Sequence, residues 1–184
     1  IARLLGCDAV EARSTQKRYF LDHGTTLAGL MRHHGVDPHH FLDYVHDIEL
    51  DRLTHDADLA AHIDALPGRK IIFTNGDAPY AHRVLERLGL DTHFELIHDI
   101  HACGYHPKPD PHGYHILRDD HGIDLARAAF FEDMARNLAP AKALGMTTIW
   151  LNNGSESGHV GAHPDFIDHE TAHLAPFLAD LLGA

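Results

Sequence analysis

From Asp8 to about Leu66 the apolar residues recur at helical spacing, and no segment reads as a strand. Asp8-x-x-Glu11 predicts a capped helix start, with Val10, Tyr19, Phe20 and Leu21 on an apolar face and Gly24 as the stop. Thr25 predicts the next cap, ahead of Leu27, Leu30 and Met31, and Gly35 closes that helix. Asp37-Pro38 supplies an N-cap and a first-turn proline before Phe41, Leu42, Tyr44 and Val45. Asp56 opens a further helix through Leu59, Ile63 and Leu66, stopped by Pro67-Gly68. Ile1 to Gly6 read as the last turns of a helix that begins elsewhere. Residues 1–66 are thus expected to form a small helical unit.

The pattern then changes. Lys70-Ile71-Ile72-Phe73-Thr74 is a short continuous apolar run closed by Asn75-Gly76, the mark of a buried parallel strand and its turn. Asp77 caps a helix carrying Ala81, Val84, Leu85 and Leu88, and Gly89 ends it. Weaker or equal strand signals follow at Phe94–Ile97, Ala128–Phe131, Thr147–Leu151 and Phe166–Ile167. Helices through Tyr114–Leu117, through Leu138–Leu144 and up to Leu182 separate or follow them. Strands alternating with helices predict βαβ units. The expectation for residues 67–184 is therefore a Rossmann-like α/β core, a parallel sheet with helices on both faces.

Composition narrows the classes. Lys and Arg total 15 against 27 Asp and Glu, a formal charge of −12, which argues against a nucleic-acid polymer as partner. No apolar run approaches the 18 or more residues of a membrane span, and no export signal opens the chain, so a cytoplasmic protein without a membrane partner is expected. Two cysteines, Cys7 and Cys103, are too few for a disulfide framework. The 20 histidines are the anomaly: protonating all of them would carry the charge from −12 to +8. They also make accidental histidine pairs cheap.

In an open α/β sheet, ligands bind beyond the carboxyl ends of the strands. Three such ends carry polar groups. Thr74-Asn75-Gly76 offers a hydroxyl, an amide and a glycine whose backbone can approach an anion. Lys108, between Pro107 and Pro109, is a positive charge on a stiff loop, suited to a phosphate. Glu132-Asp133 are paired carboxylates suited to a hard cation such as Mg²⁺. Each alone is more often only a turn, a solvated loop residue or a helix-start charge; their order and spacing together make the case.

That order resembles the haloacid dehalogenase-like hydrolases, mostly Mg²⁺-dependent phosphatases. Thr74 matches the family's second motif, Lys108 the third, and Glu132 and Asp133 the fourth. His23–Leu30, Tyr44–Asp47, Ile72–Gly76, Pro107–Pro109 and Phe130–Asp133 with Asn137-Leu138 are similar, more narrowly, to the pyrimidine 5′-nucleotidase subfamily. The resemblance implies hydrolysis of phosphate esters of the nucleotide or sugar-phosphate class. Thr74, Lys108 and Asp133 would be catalytic, Thr74, Asn75, Gly76 and Lys108 would hold the phosphoryl group, and Asp133 and Glu132 would hold the metal. Residues 1–66 would be the cap that selects the leaving group.

One family element is not in the sequence. The first motif, Asp-x-Asp-x-Thr after the first and central strand, supplies the attacking aspartate. Asp56-Ala57-Asp58 is the nearest pattern, and it opens a helix. By analogy the motif belongs roughly 25–35 residues before Ile1. Either it lies there, or the protein lacks both nucleophile and central strand. In the second case the strands ending at Thr74 and Glu132 must close on each other or be covered by another chain, so a homodimer or higher oligomer is expected. A remodelled diester or triester hydrolase, using water activated by a metal on Asp and His ligands, and a catalytically inactive oligomer are the alternatives. His98, His101 and His106 around the Lys108 loop are the alternative ligands and would admit Zn²⁺ or another transition metal. His169-Glu170-Thr171-Ala172-His173 spells a zinc-protease motif, but Ile167 suggests a strand and Thr171 a cap inside it. His33-His34 and His39-His40 read as solvated surface, and Cys103 would need a depressed pKa to act as a nucleophile.

Overall fold

The structure, a computed structural model, describes residues 1–183. A short helix α1 (Ala2–Leu5) precedes α2 (Ala9–His23), α3 (Thr26–His34), α4 (Pro38–His46) and α5 (Ala57–Ala65). The starts follow the capping chemistry. Asp8 accepts from the N–H groups of Val10 and Glu11, Thr25 from Ala28, Asp37 from His40 and Asp56 from Leu59. Gly35 closes α3 in the left-handed conformation.

The inner face of α2 is Ala12, Thr15 and Tyr19. Val10, expected on that face, is 80% exposed, because it stands two residues before Ala12 and so on the opposite side of the helix; Leu21 and Tyr44 are also exposed. Tyr19 packs against Gly29 of α3 so closely that a Cβ there would overlap its ring.

Strands β1 (Ile71–Phe73), β2 (Leu96–His98), β3 (Ala129–Glu132), β4 (Thr147–Leu151) and β5 (His169–Thr171) alternate with α6 (Ala78–Leu88), α7 (Pro111–Asp119), α8 (Leu138–Ala143) and α9 (Leu174–Leu182). All pairings are parallel. Ile71 aligns with Leu96 and Phe73 with His98; β4 lies between β3 and β5, with Phe130 opposite Thr148 and Trp150 opposite Glu170. This is an α/β fold with a parallel sheet. The fifth strand was expected at Phe166–Ile167. It forms three residues later, because Pro164, which has no N–H, starts a 3-10 turn over Pro164–Phe166.

Side chains alternate between two cores. Phe130, with Ile71 and Phe73 beside it, joins Tyr114, Leu117 and Leu138 of α7 and α8. Ile72 and Phe131 join the opposite cluster of Ala60, Ile63, Leu85 and Leu178, from α5, α6 and α9. Helices thus cover both faces, and α5, the last helix of the N-terminal helical region, packs into the α/β core. Each fully buried leucine among these contributes about 1.5–3 kcal/mol.

The sheet is in two parts. Among the described residues no ladder joins β1 to β3. The strands β1 and β3 meet through side chains, with the Phe73 and Phe130 rings 6.0 Å apart, and their backbone edges are unpaired with each other.

Candidate active site

Lys108 stands at the carboxyl end of that seam and is 7% exposed. Its Nζ donates to Phe73 O at 2.7 Å, from one half-sheet, and lies 2.5 Å from Glu132 Oε2, on the other. The ammonium also sits 4.8 Å from the centre of the Phe73 ring and 5.3 Å from that of Phe130. The loop is held from both sides. Asn75 Oδ1 accepts the Lys108 N–H at 2.8 Å and Asn75 Nδ2 donates to the Lys108 carbonyl at 3.2 Å. Gly24, at φ 82°, rests on Pro107; a Cβ there would lie 3.2 Å from Pro107 Cγ and 3.4 Å from Lys108 O. A side chain at Gly24 would be strained and would push the end of α2 off this loop.

Glu132 ends β3 and is buried. Burial disfavours its carboxylate, but the charge and hydrogen bond of Lys108, with the Met134 N–H at 3.1 Å, outweigh it and hold its pKa below the ordinary value. Asp133 is affected the other way: burial, then the neighbouring Glu132, raise its pKa. Two carboxyls crowded together, one of them poorly compensated, make a donor set that fits a hard divalent cation. Among the described residues no group of three or more His, Cys, Asp or Glu is placed to share one ion, so the chain offers at most these two acids there.

Thr74 follows β1. Its Oγ1 accepts the Gly76 N–H at 2.9 Å, and its own N–H donates to His98 O at 3.0 Å. The hydroxyl, the glycine backbone and Asn75 form a small turn beside Lys108.

His46, at the end of α4, also reaches this turn, and the sequence reading gave it no role. Its ring stacks on Tyr80 at 4.2 Å, 6° from parallel. The signal available was only its place in the Tyr44–Asp47 segment. Arg136, three residues past Asp133, was also missed. Its Nη2 donates to Phe20 O at 3.2 Å and Gly24 O at 2.9 Å, and its guanidinium lies 4.4 Å over the Phe20 ring, tying α2 to the end of β3.

The alternative ligands do not converge. His98 is buried, with Nε2 3.1 Å from Gly113 O and 3.3 Å from Cys103 Sγ; His101 Nδ1 meets the Tyr105 hydroxyl at 3.0 Å; His106 Nδ1 lies 3.3 Å from Asp110. Burial pushes the Cys103 thiol up to about 11, so it is no thiolate nucleophile at neutral pH. His169 and Glu170 lie in strand β5 and His173 precedes α9, so the two histidines do not share a helix face. No described helix is long and apolar enough to cross a membrane.

Parallel βαβ topology with a lysine and paired acids at the strand ends defines the class. The chain belongs to the haloacid dehalogenase-like hydrolases: residues 12–145 match the model of that family. The fold is similar to that of the HAD phosphatase from Thermococcus onnurineus (TM-score 0.63, 18% identity, 99% of this chain and 84% of that one). It is also similar to L-2-haloacid dehalogenase from Xanthobacter autotrophicus with chloropropionic acid covalently bound (0.58, 16%, 94% and 82%). A third likeness is to YfnB from Bacillus subtilis bound to magnesium (0.64, 15%, 95% and 82%). Comparison with curated proteins gives no match. Likeness at these identities concerns the fold alone, and the similar structures include both phosphatase and dehalogenase.

Proposed function

We propose that the protein is a metal-dependent phosphate-ester hydrolase, of pyrimidine 5′-nucleotidase-like ancestry. The observation that carries this reading is the buried Lys108 ammonium, fixed between Phe73 O and Glu132 at the strand ends and flanked by the Thr74–Gly76 turn. A phosphate monoester brings about two negative charges. Lys108 supplies a fixed positive charge for them, Thr74 a hydroxyl, and Asn75 holds the lysine loop against the turn. Asp133 and Glu132 would hold Mg²⁺, which when bound supplies further charge neutralisation to the phosphoryl group. These residues bind and orient; none of them is assigned the attack.

The test is release of inorganic phosphate from p-nitrophenyl phosphate and nucleoside monophosphates, with and without Mg²⁺, beside halide release from 2-chloropropionate. Metal-dependent phosphate release is expected, abolished in Asp133→Ala. Halide release with no phosphate release, or full activity in Asp133→Ala, overturns the reading.

A further inference from the structure

His46 is held more firmly than a residue at the end of a surface helix requires. Three residues on one face of α6, or capping it, grip it. Arg83 donates from Nη1 to the His46 carbonyl at 2.9 Å and from Nη2 to the Ile48 carbonyl at 2.8 Å, fixing the chain where α4 ends. Tyr80 stacks on the ring. Asp77 Oδ1 lies 2.9 Å from His46 Nδ1, out of line for a hydrogen bond but close enough for an ion pair; both side chains are largely buried.

The opposite edge of the ring faces the Thr74–Gly76 turn. A Cβ built on Gly76 would lie 3.6 Å from His46 Cε1, 3.7 Å from His46 Nε2 and 3.4 Å from Thr74 Oγ1. Gly76 therefore leaves a space about one methyl group wide, bounded by a hydroxyl on one side and an imidazole nitrogen on the other. One oxygen of a tetrahedral anion has the size and polarity to fill it. Asp77 has a second duty, accepting the Tyr80 N–H at 3.1 Å as the cap of α6, so its carboxylate is itself fixed.

We propose that His46 is a substrate-binding residue contributed by the helical region, with Nε2 donating to a phosphate-ester oxygen over Gly76 and Asp77 as its positioning residue. This rests on the phosphate-ester reading of the same site. The Asp77 carboxylate beside Nδ1 and the stacked Tyr80 ring fix the imidazole so that its Nε2 edge faces the space over Gly76. The α4 end thereby closes onto the phosphoryl group rather than only onto the leaving group.

The probe is inorganic phosphate, titrated calorimetrically into the native chain and into His46→Ala, His46→Gln and Gly76→Ala, each checked by circular dichroism. His46→Ala should weaken binding by about tenfold or more, and His46→Gln, which keeps an N–H donor, should recover part of the loss. Gly76→Ala should lose binding at an unchanged unfolding midpoint, because its methyl makes only ordinary contacts and fills the space. In the native chain, phosphate should shift the His46 Nε2 ¹⁵N resonance, which a histidine out of contact with the anion would not show. Binding lost in Gly76→Ala but unchanged in His46→Ala, or no shift of the His46 nitrogens, overturns the role of His46 and leaves the phosphate reading standing. No phosphate binding by the native chain overturns that reading, and this inference with it.

Discussion

Asn75 and Lys108 hold each other through both backbone groups of the lysine, one bond accepted by the asparagine at 2.8 Å and one donated at 3.2 Å. The amide joins the turn after β1 to a loop 33 residues further along. Thr74 and Lys108 are thereby one rigid body, although they come from different connections. Asn75→Ala removes both bonds and leaves a partly buried N–H and carbonyl without partners. We expect a loss of about 1–3 kcal/mol in urea unfolding and faster amide exchange at Lys108. Native protection of that amide in the variant would show that another group holds the loop.

The buried Lys108–Glu132 pair should behave as a unit. Removing either partner leaves a buried charge uncompensated, so Glu132→Gln and Lys108→Met should each cost about 3–5 kcal/mol, and the double variant much less than the sum. The pH dependence has a definite sign. The folded pKa of Glu132 lies below its unfolded value near 4.5, so its contribution is present above that pH and is lost as pH falls through the folded value. Urea midpoints from pH 3 to 7, native against Glu132→Gln, measure it. Additive single variants would mean the two groups do not interact as placed.

Cys103 provides a third check. Its thiol is buried against His98, and burial, then the charge of Asp99, raise its pKa to about 11, while Cys7 is partly exposed. A thiol reagent at pH 8 should modify Cys7 alone in the native protein and both cysteines in denaturant. Because the folded thiol holds its proton more tightly than the unfolded one, its contribution to stability is complete below about pH 8.5 and is lost as pH rises toward 11. Rapid native modification of Cys103 would place it at the surface.

The helix starts were legible because capping is local: Asp8, Thr25, Asp37, Asp56 and Asp77 each bond an N–H two or three residues ahead. The strand run Ile71–Phe73 was legible because it is apolar on both faces, as two-sided burial demands. The strand at His169–Thr171 was not, since an edge strand with exposed His169 and Glu170 carries no apolar pattern. The residue types of the site could be read from strand-end positions. What could not be read was that Lys108 is buried on Phe73 O and Glu132 rather than solvated, or that His46 arrives from a helix 28 residues before Thr74. Both depend on packing between distant segments.

Asp133 offers the sharpest test of whether this site is built for a cation at the expense of the fold. Its pKa is raised by burial first and by Glu132 second, so folding favours the protonated form and the ionised form is held at a cost. The contribution of this group is therefore fully present below the ordinary carboxylate range and is lost as pH rises through the raised folded value. In metal-free buffer at pH 7, Asp133→Asn should raise the unfolding midpoint, because a neutral amide of the same shape removes the repulsion from Glu132. Mg²⁺ should reverse the order: it stabilises the native chain in proportion to its occupancy and leaves Asp133→Asn unmoved. Thermal unfolding of both proteins across a Mg²⁺ series reads both effects. A destabilised Asp133→Asn without metal, or equal Mg²⁺ stabilisation of the two, would mean that Asp133 is a structural acid and not the metal ligand proposed above.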